Sequence, residues 1–79
     1  MVITMSTSET IHIVINKEPI RLSQFLKLAN VAQDGLEAKI RIVEGEILVN
    51  GELETRRGRK LYAKDLVRFG SDTFEVLKQ

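Results

Sequence analysis

The sequence predicts an α+β domain in the order β-α-α-β-β-β-β. Three observations carry that prediction. Ile11, Ile13 and Ile15 alternate with other side chains, the period of a strand. Two short apolar stripes at helical spacing follow, broken between residues 30 and 35. Asn50-Gly51 then separates two apolar runs, a strong hairpin signal.

A chain of 79 residues forms one domain, placed at residues 11–79. Residues 1–10 are small, polar and without a period, and are expected to form a flexible N-terminal arm, with Met5 a second candidate start. Strand 11–16 ends at Lys17-Glu18-Pro19, because proline donates no ladder hydrogen bond. Leu22, Phe25, Leu26 and Ala29 fall at i, i+3, i+4 and i+7, with Ser23 as a cap or first-turn residue. Leu36, Ile40 and Val43 mark the second helix, with Asp34 as its N-terminal cap or first-turn charge and Gly45 as its stop. The two helices form a helical hairpin.

Strands at Glu46–Val49 and Glu52–Thr55 flank Asn50-Gly51. A two-residue turn there sets Ile47 opposite Glu54 and mixes faces. A three-residue loop, Val49-Asn50-Gly51, sets Ile47 opposite Leu53 and is the expected register. Leu66–Phe69 and Phe74–Leu77 complete the strands around Gly70-Ser71-Asp72. Phe25, Phe69 and Phe74 are read as core.

Composition removes several classes of function. There is no cysteine and one histidine, so neither a thiolate nor a His-rich metal site is expected, and no cofactor. No apolar run nears ~20 residues, and the first nine residues lack a basic start, so the chain reads as cytoplasmic without a membrane partner. No G-x-S-x-G, H-E-x-x-H or phosphate-loop pattern occurs, and a core this small leaves little room for a substrate cavity. His12 is read as an edge-strand side chain. Glu44 with Glu46 and Glu52 with Glu54 are read as solvent-facing acids. The protein is expected not to be an enzyme.

Charge is uneven although the net value is +1. After the acidic stretch 44–54 comes Arg56-Arg57-Gly58-Arg59-Lys60, read as a loop. Guanidinium forks fit phosphate oxygens, and Gly58 allows close backbone approach. A solvated loop neutralised by Glu52 and Glu54 is the competing reading. Arg21 precedes the first helix, where its charge opposes the dipole unless a partner uses it. Lys39 lies about 60° from the Leu36 stripe and flanks the core, whereas Arg41 lies about 140° away and is expected in solvent. Lys27 is read as a solvated lysine. Tyr62 is the one candidate for stacking on a base, set against core or rim packing.

Arg21-Leu22-Ser23-Gln24-Phe25-Leu26-Lys27, Glu37-Ala38-Lys39 and Glu44-Gly45-Glu46-Ile47-Leu48-Val49-Asn50-Gly51 together resemble the alpha-L RNA-binding motif. That motif is named for ribosomal small-subunit protein four and recurs in pseudouridine synthases, tyrosyl-tRNA synthetases and a heat-shock ribosome-binding protein. The continuation Glu54-Thr55-Arg56-Arg57-Gly58-Arg59-Lys60-Leu61 resembles the small free-standing bacterial members, the YaaA/YbcJ-like proteins. The resemblance spans residues 11–79. It implies a two-helix hairpin packed on a small, mostly antiparallel twisted sheet, binding structured RNA through the helix pair and adjoining loops.

Carried over by position, it implies RNA-binding roles for Arg21, Lys39, Asn50, Gly51, Arg56, Arg57, Gly58, Arg59 and Lys60. Many members have Gly-Asp where this chain has Lys64-Asp65. Lysine tolerates a left-handed backbone poorly, so a different turn is expected there, with Lys64 adding a cation. The expected partner is rRNA or tRNA in a ribosome or ribosomal-precursor setting, bound without catalysis by a monomer. A protein-interaction adaptor using the acidic hairpin and basic loop, or less specific DNA binding, are the alternatives.

Overall fold

The computed structural model describes residues 10–79, so the expected arm lies outside the described residues except for Thr10. Thr10 opens strand β1 (Thr10–Ile15). The chain continues through β2 (Ile20–Arg21), α1 (Leu22–Leu28), α2 (Gly35–Val43), β3 (Ile47–Val49), β4 (Glu52–Leu53), β5 (Lys60–Leu61), β6 (Leu66–Phe69) and β7 (Asp72–Lys78). The expected order is present, with two short strands, β2 and β5, added. Each is two residues long, too short to leave a periodic signal.

One sheet runs β1-β7-β6-β3-β4, and β2 pairs with β5 in a second. All pairings are antiparallel except β1 with β7. His12 lies on edge strand β1 opposite Glu75, its Nε2 3.3 Å from the carboxylate. Leu22, Phe25 and Leu26 of α1 share one core with Ala38, Ile42, Ile47, Val49, Leu61, Val67, Phe74 and Val76. Phe69 packs half-buried against it.

Helix α2 turns a different face inward from the one expected. Ala38 and Ile42 are fully buried, while Leu36, Ile40 and Val43 are 67%, 50% and 57% exposed. Both ends of the helix are fixed. The Asp34 carboxylate accepts from the Glu37 N–H at 2.9 Å. Gly45 takes φ +81°, with Gly45 N–H donating to the Ile42 carbonyl and Glu46 N–H to that of Arg41, a Schellman stop. Arg41 lies on the inward side rather than in solvent. Its guanidinium reaches Glu37 and Glu46, each at 3.0 Å, and sits 4.9 Å from the Phe69 ring centroid. Ala38 and Ile42, flanked by a half-buried and neutralised Arg41, thus form the inward stripe that aliphatic spacing assigned to Leu36, Ile40 and Val43.

The β3–β4 register also differs from expectation. Val49 pairs with Glu52 and Leu48 with Leu53, leaving Asn50-Gly51 as a two-residue turn. Both turn residues have positive φ, 53° and 85°, as a type I′ turn requires. Leu53 consequently shares the outward face with Leu48 and is 60% exposed. Glu54 shares the inward face with Ile47, and its N–H donates to the Ile47 carbonyl at 3.0 Å. Turn chemistry overrode the hydrophobic pattern because Glu54 has charge partners of its own.

Candidate functional site

The basic segment folds as a turn, with the Arg59 N–H donating to the Arg56 carbonyl at 3.2 Å. Glu54 anchors it from inside. One carboxylate oxygen accepts from the Arg56 N–H at 3.0 Å and its Nε at 2.9 Å. The other accepts from Arg56 Nη2 at 3.1 Å and Arg59 Nη1 at 2.9 Å. Glu54 is 6% exposed, not the solvent-facing acid expected from its spacing to Glu52. Hydrogen bonds from the Arg56 side chain hold its carboxyl down to about 2 against the opposing effect of burial, and Arg59 adds to the lowering. The same bonds raise Arg56 above the ordinary arginine range.

The turn is docked on the start of α1. That helix has no side-chain cap at Arg21. Its first N–H groups are taken by loop carbonyls instead, Leu22 N–H donating to Arg59 at 2.8 Å and Ser23 N–H to Arg57 at 3.1 Å. The β2–β5 ladder continues the contact, with Ile20 opposite Leu61 and Arg21 opposite Lys60. Arg21 also lies over Gly58, where an added Cβ would meet its Nη1 at 3.8 Å. Segments far apart in sequence therefore place Arg21, Arg56, Arg57, Arg59 and Lys60 together. Arg56, Gly58, Arg59 and Lys60 line a depression of about 480 Å³.

The cations are not equivalent. Arg56 and Arg59 are held by Glu54. Among the described residues, Arg21, Arg57 and Lys60 form no ion pair, and neither does Glu52. Neutralisation of the loop is thus partial, through Glu54 alone.

Other candidates lie apart from this cluster. Lys39 lines a separate depression of about 210 Å³ with Leu36, Ile40, Val43 and Glu44. Asn50 ties two turns together: its amide donates to Asp65 at 3.2 Å and its side-chain oxygen accepts from the Leu66 N–H at 2.9 Å. Lys64 takes a left-handed backbone, φ 79°, the conformation a lysine was expected to avoid. Its N–H donates to Val76 at 2.7 Å, and the Asp65 carboxylate accepts from the Tyr62 N–H at 2.8 Å. Tyr62 follows β5, 49% exposed, and leaves its ring accessible beyond buried Leu61. Neutralisation of the run by Glu54 was among the readings of the sequence; the burial of Glu54, and the absence of Glu52 from the pairing, were not. The signal for that burial was present as Glu54-x-Arg56-x-x-Arg59 beside a turn that pairs Glu54 with Ile47.

Residues 13–77 match the S4 domain family. The chain belongs to that family. Over 64 residues it is 52% identical to a Bacillus subtilis (strain 168) protein with the provisional name ribosome maturation protein RlbA, covering 80% of this chain and 90% of that one. Over 64 residues it is 36% identical to Escherichia coli (strain K12) YbcJ, provisionally named an RNA-binding protein, covering 80% of this chain and 91% of YbcJ. The solution structure of E. coli YbcJ, described as having an alpha-L motif involved in RNA binding, superposes with a TM-score of 0.65 at 35% identity, over 98% of this chain and 96% of that one. The fold expected from the resemblance, two helices with a mostly antiparallel sheet, is therefore that of this S4 domain. The basic turn and the start of α1 both fall inside the matched span.

Proposed function

We propose that this S4 domain binds folded RNA without catalysis, through the cationic surface where the basic turn meets α1. The observation that carries the reading is the docking of the Arg57 and Arg59 carbonyls on the Leu22 and Ser23 N–H groups, which brings Arg21 beside Lys60. Arg57 and Lys60 carry charge outward from that junction, and Tyr62 offers an exposed ring. Lys39, on the second depression, extends the surface for an RNA that spans both, and Lys64, which lines neither, adds a further cation. The names of the B. subtilis and E. coli relatives support RNA as the partner, and the first supports a ribosomal setting, with rRNA or a ribosomal precursor favoured over tRNA.

The adaptor alternative loses one of its four acids, because Glu54 is buried and committed to arginines, while Glu44, Glu46 and Glu52 stay exposed. No helix among the described residues is long and apolar enough to cross a membrane. The reading is tested by titrating rRNA fragments and tRNA at stepped salt. Three unpaired cations predict a slope of log affinity on log salt of about −2 to −3. Absence of binding at low salt, or equal affinity for duplex DNA, defeats it.

A further inference from the structure

We propose that Glu54 is a positioning residue for RNA recognition, holding Arg56 and Arg59 in a fixed arrangement so that the surface distinguishes folded RNA from other polyanions. The inference rests on the RNA-binding reading. A carboxylate inside a cationic phosphate-binding surface is, by charge alone, a defect, because it weakens the field that attracts phosphate. Here the carboxylate is buried and accepts four hydrogen bonds from two arginines. Arg56 is held by its backbone N–H, Nε and Nη2 together, which fixes the plane of the guanidinium. Arg59 is bound through Nη1. Both residues line the depression that Arg21 borders at Gly58.

A fixed set of donors costs little ordering when phosphates of matching spacing arrive, whereas a loose set binds any polyanion by charge. Backbone spacing is regular in a folded stem and variable in a single strand. Glu54 therefore exchanges some attraction for discrimination, and its loss moves affinity and selectivity in opposite directions.

The test measures binding of an RNA stem-loop, poly(U) of matched length and heparin to the full chain and its variants. Glu54→Gln removes a negative charge and turns one acceptor into a donor facing the arginines. The expected result is about tenfold weaker stem-loop binding, from the loss of charge-assisted bonds, with poly(U) and heparin unchanged or tighter. Tightening toward all three probes is the charge-only outcome and overturns the proposal. If Glu54→Gln does not fold, the double variant Arg56→Lys, Arg59→Lys decides. It keeps both charges while removing the planar forks, and Arg56 is largely exposed. A lost stem-loop preference at constant charge supports positioning, and an intact preference overturns it. Failure of the unmodified protein to bind the stem-loop removes the RNA reading and this role together, and is recognisable before any substitution is made.

Discussion

Glu54 faces Ile47 across the β3–β4 hairpin, its N–H on the Ile47 carbonyl at 3.0 Å and its carboxylate on Arg56 and Arg59. The pairing sets an ionised side chain on the face that also carries a fully buried isoleucine. Such an arrangement persists only when the charge is compensated within the fold. It joins the hairpin to the basic turn, and the basic turn in turn caps α1.

This pairing predicts a specific acid response. The folded-state value near 2 lies below the ordinary 4.5, so as pH falls the unfolded chain takes up the proton first. The stabilisation from Glu54 is complete above pH 4.5 and disappears between there and about 2. Thermal unfolding of the unmodified protein should fall more steeply through that window than unfolding of Glu54→Gln. The variant should be less stable at neutral pH, with the two curves converging at the acid end. Parallel curves would show that the carboxylate is not held by its arginines.

Lys64 supplies a second prediction. A non-glycine residue at φ 79° is strained, and its N–H is bound to Val76, so the backbone cannot relax alone. Lys64→Gly should stabilise the domain by about 1 kcal/mol, read as a higher urea midpoint at unchanged slope. A lower midpoint would mean that the lysine side chain contributes more than its backbone costs.

The inward face of α2 is tested by contrast. Ile40→Lys and Leu36→Lys fall on the exposed face and should change stability by no more than about 0.5 kcal/mol. Ile42→Ala opens a cavity in the core and should cost about 2–5 kcal/mol in urea unfolding. Comparable losses at positions 40 and 42 would contradict the orientation of the helix.

These contrasts mark what the sequence makes legible. Helix α1 follows its stripe because Leu22, Phe25 and Leu26, the residues at helical spacing, are the buried ones, while Leu28 off that stripe is exposed. The ends of α2 are readable because Asp34 and Gly45 act through local backbone chemistry. Its rotation is not, since Arg41 becomes an inward residue only once Glu37, Glu46 and Phe69 surround it. The hairpin fails for the same reason. Period-two patterning treats Glu54 as a solvent residue, and only the fold brings Arg56 and Arg59 around it. The charge run at 56–60 and a neutralising glutamate beside it are visible in the sequence, but the division into held and unpaired cations is not, because it depends on Glu54 being buried and Glu52 left out of the pairing. Arg21's place beside Lys60 rests on a two-residue ladder that carries no periodic signal.

That division of cations yields the last prediction. Arg57 and Lys60 make no ion pair among the described residues, so alanine at either should leave the unfolding midpoint nearly unchanged. Each should reduce the salt slope of RNA binding by about 0.7–0.9 if it meets one phosphate. Arg59→Ala removes a donor from buried Glu54 and should lower stability by about 1–3 kcal/mol as well as affinity. Gly58→Ala separates fold from ligand most cleanly. The added methyl meets Arg21 at 3.8 Å, an ordinary contact, so the fold accommodates it. It also projects at the edge of the depression between Arg56 and Lys60. Weakened RNA binding at an unchanged midpoint locates a phosphate there. Unchanged affinity places the RNA elsewhere on the surface, because a ligand seated against Gly58 has no room for the methyl.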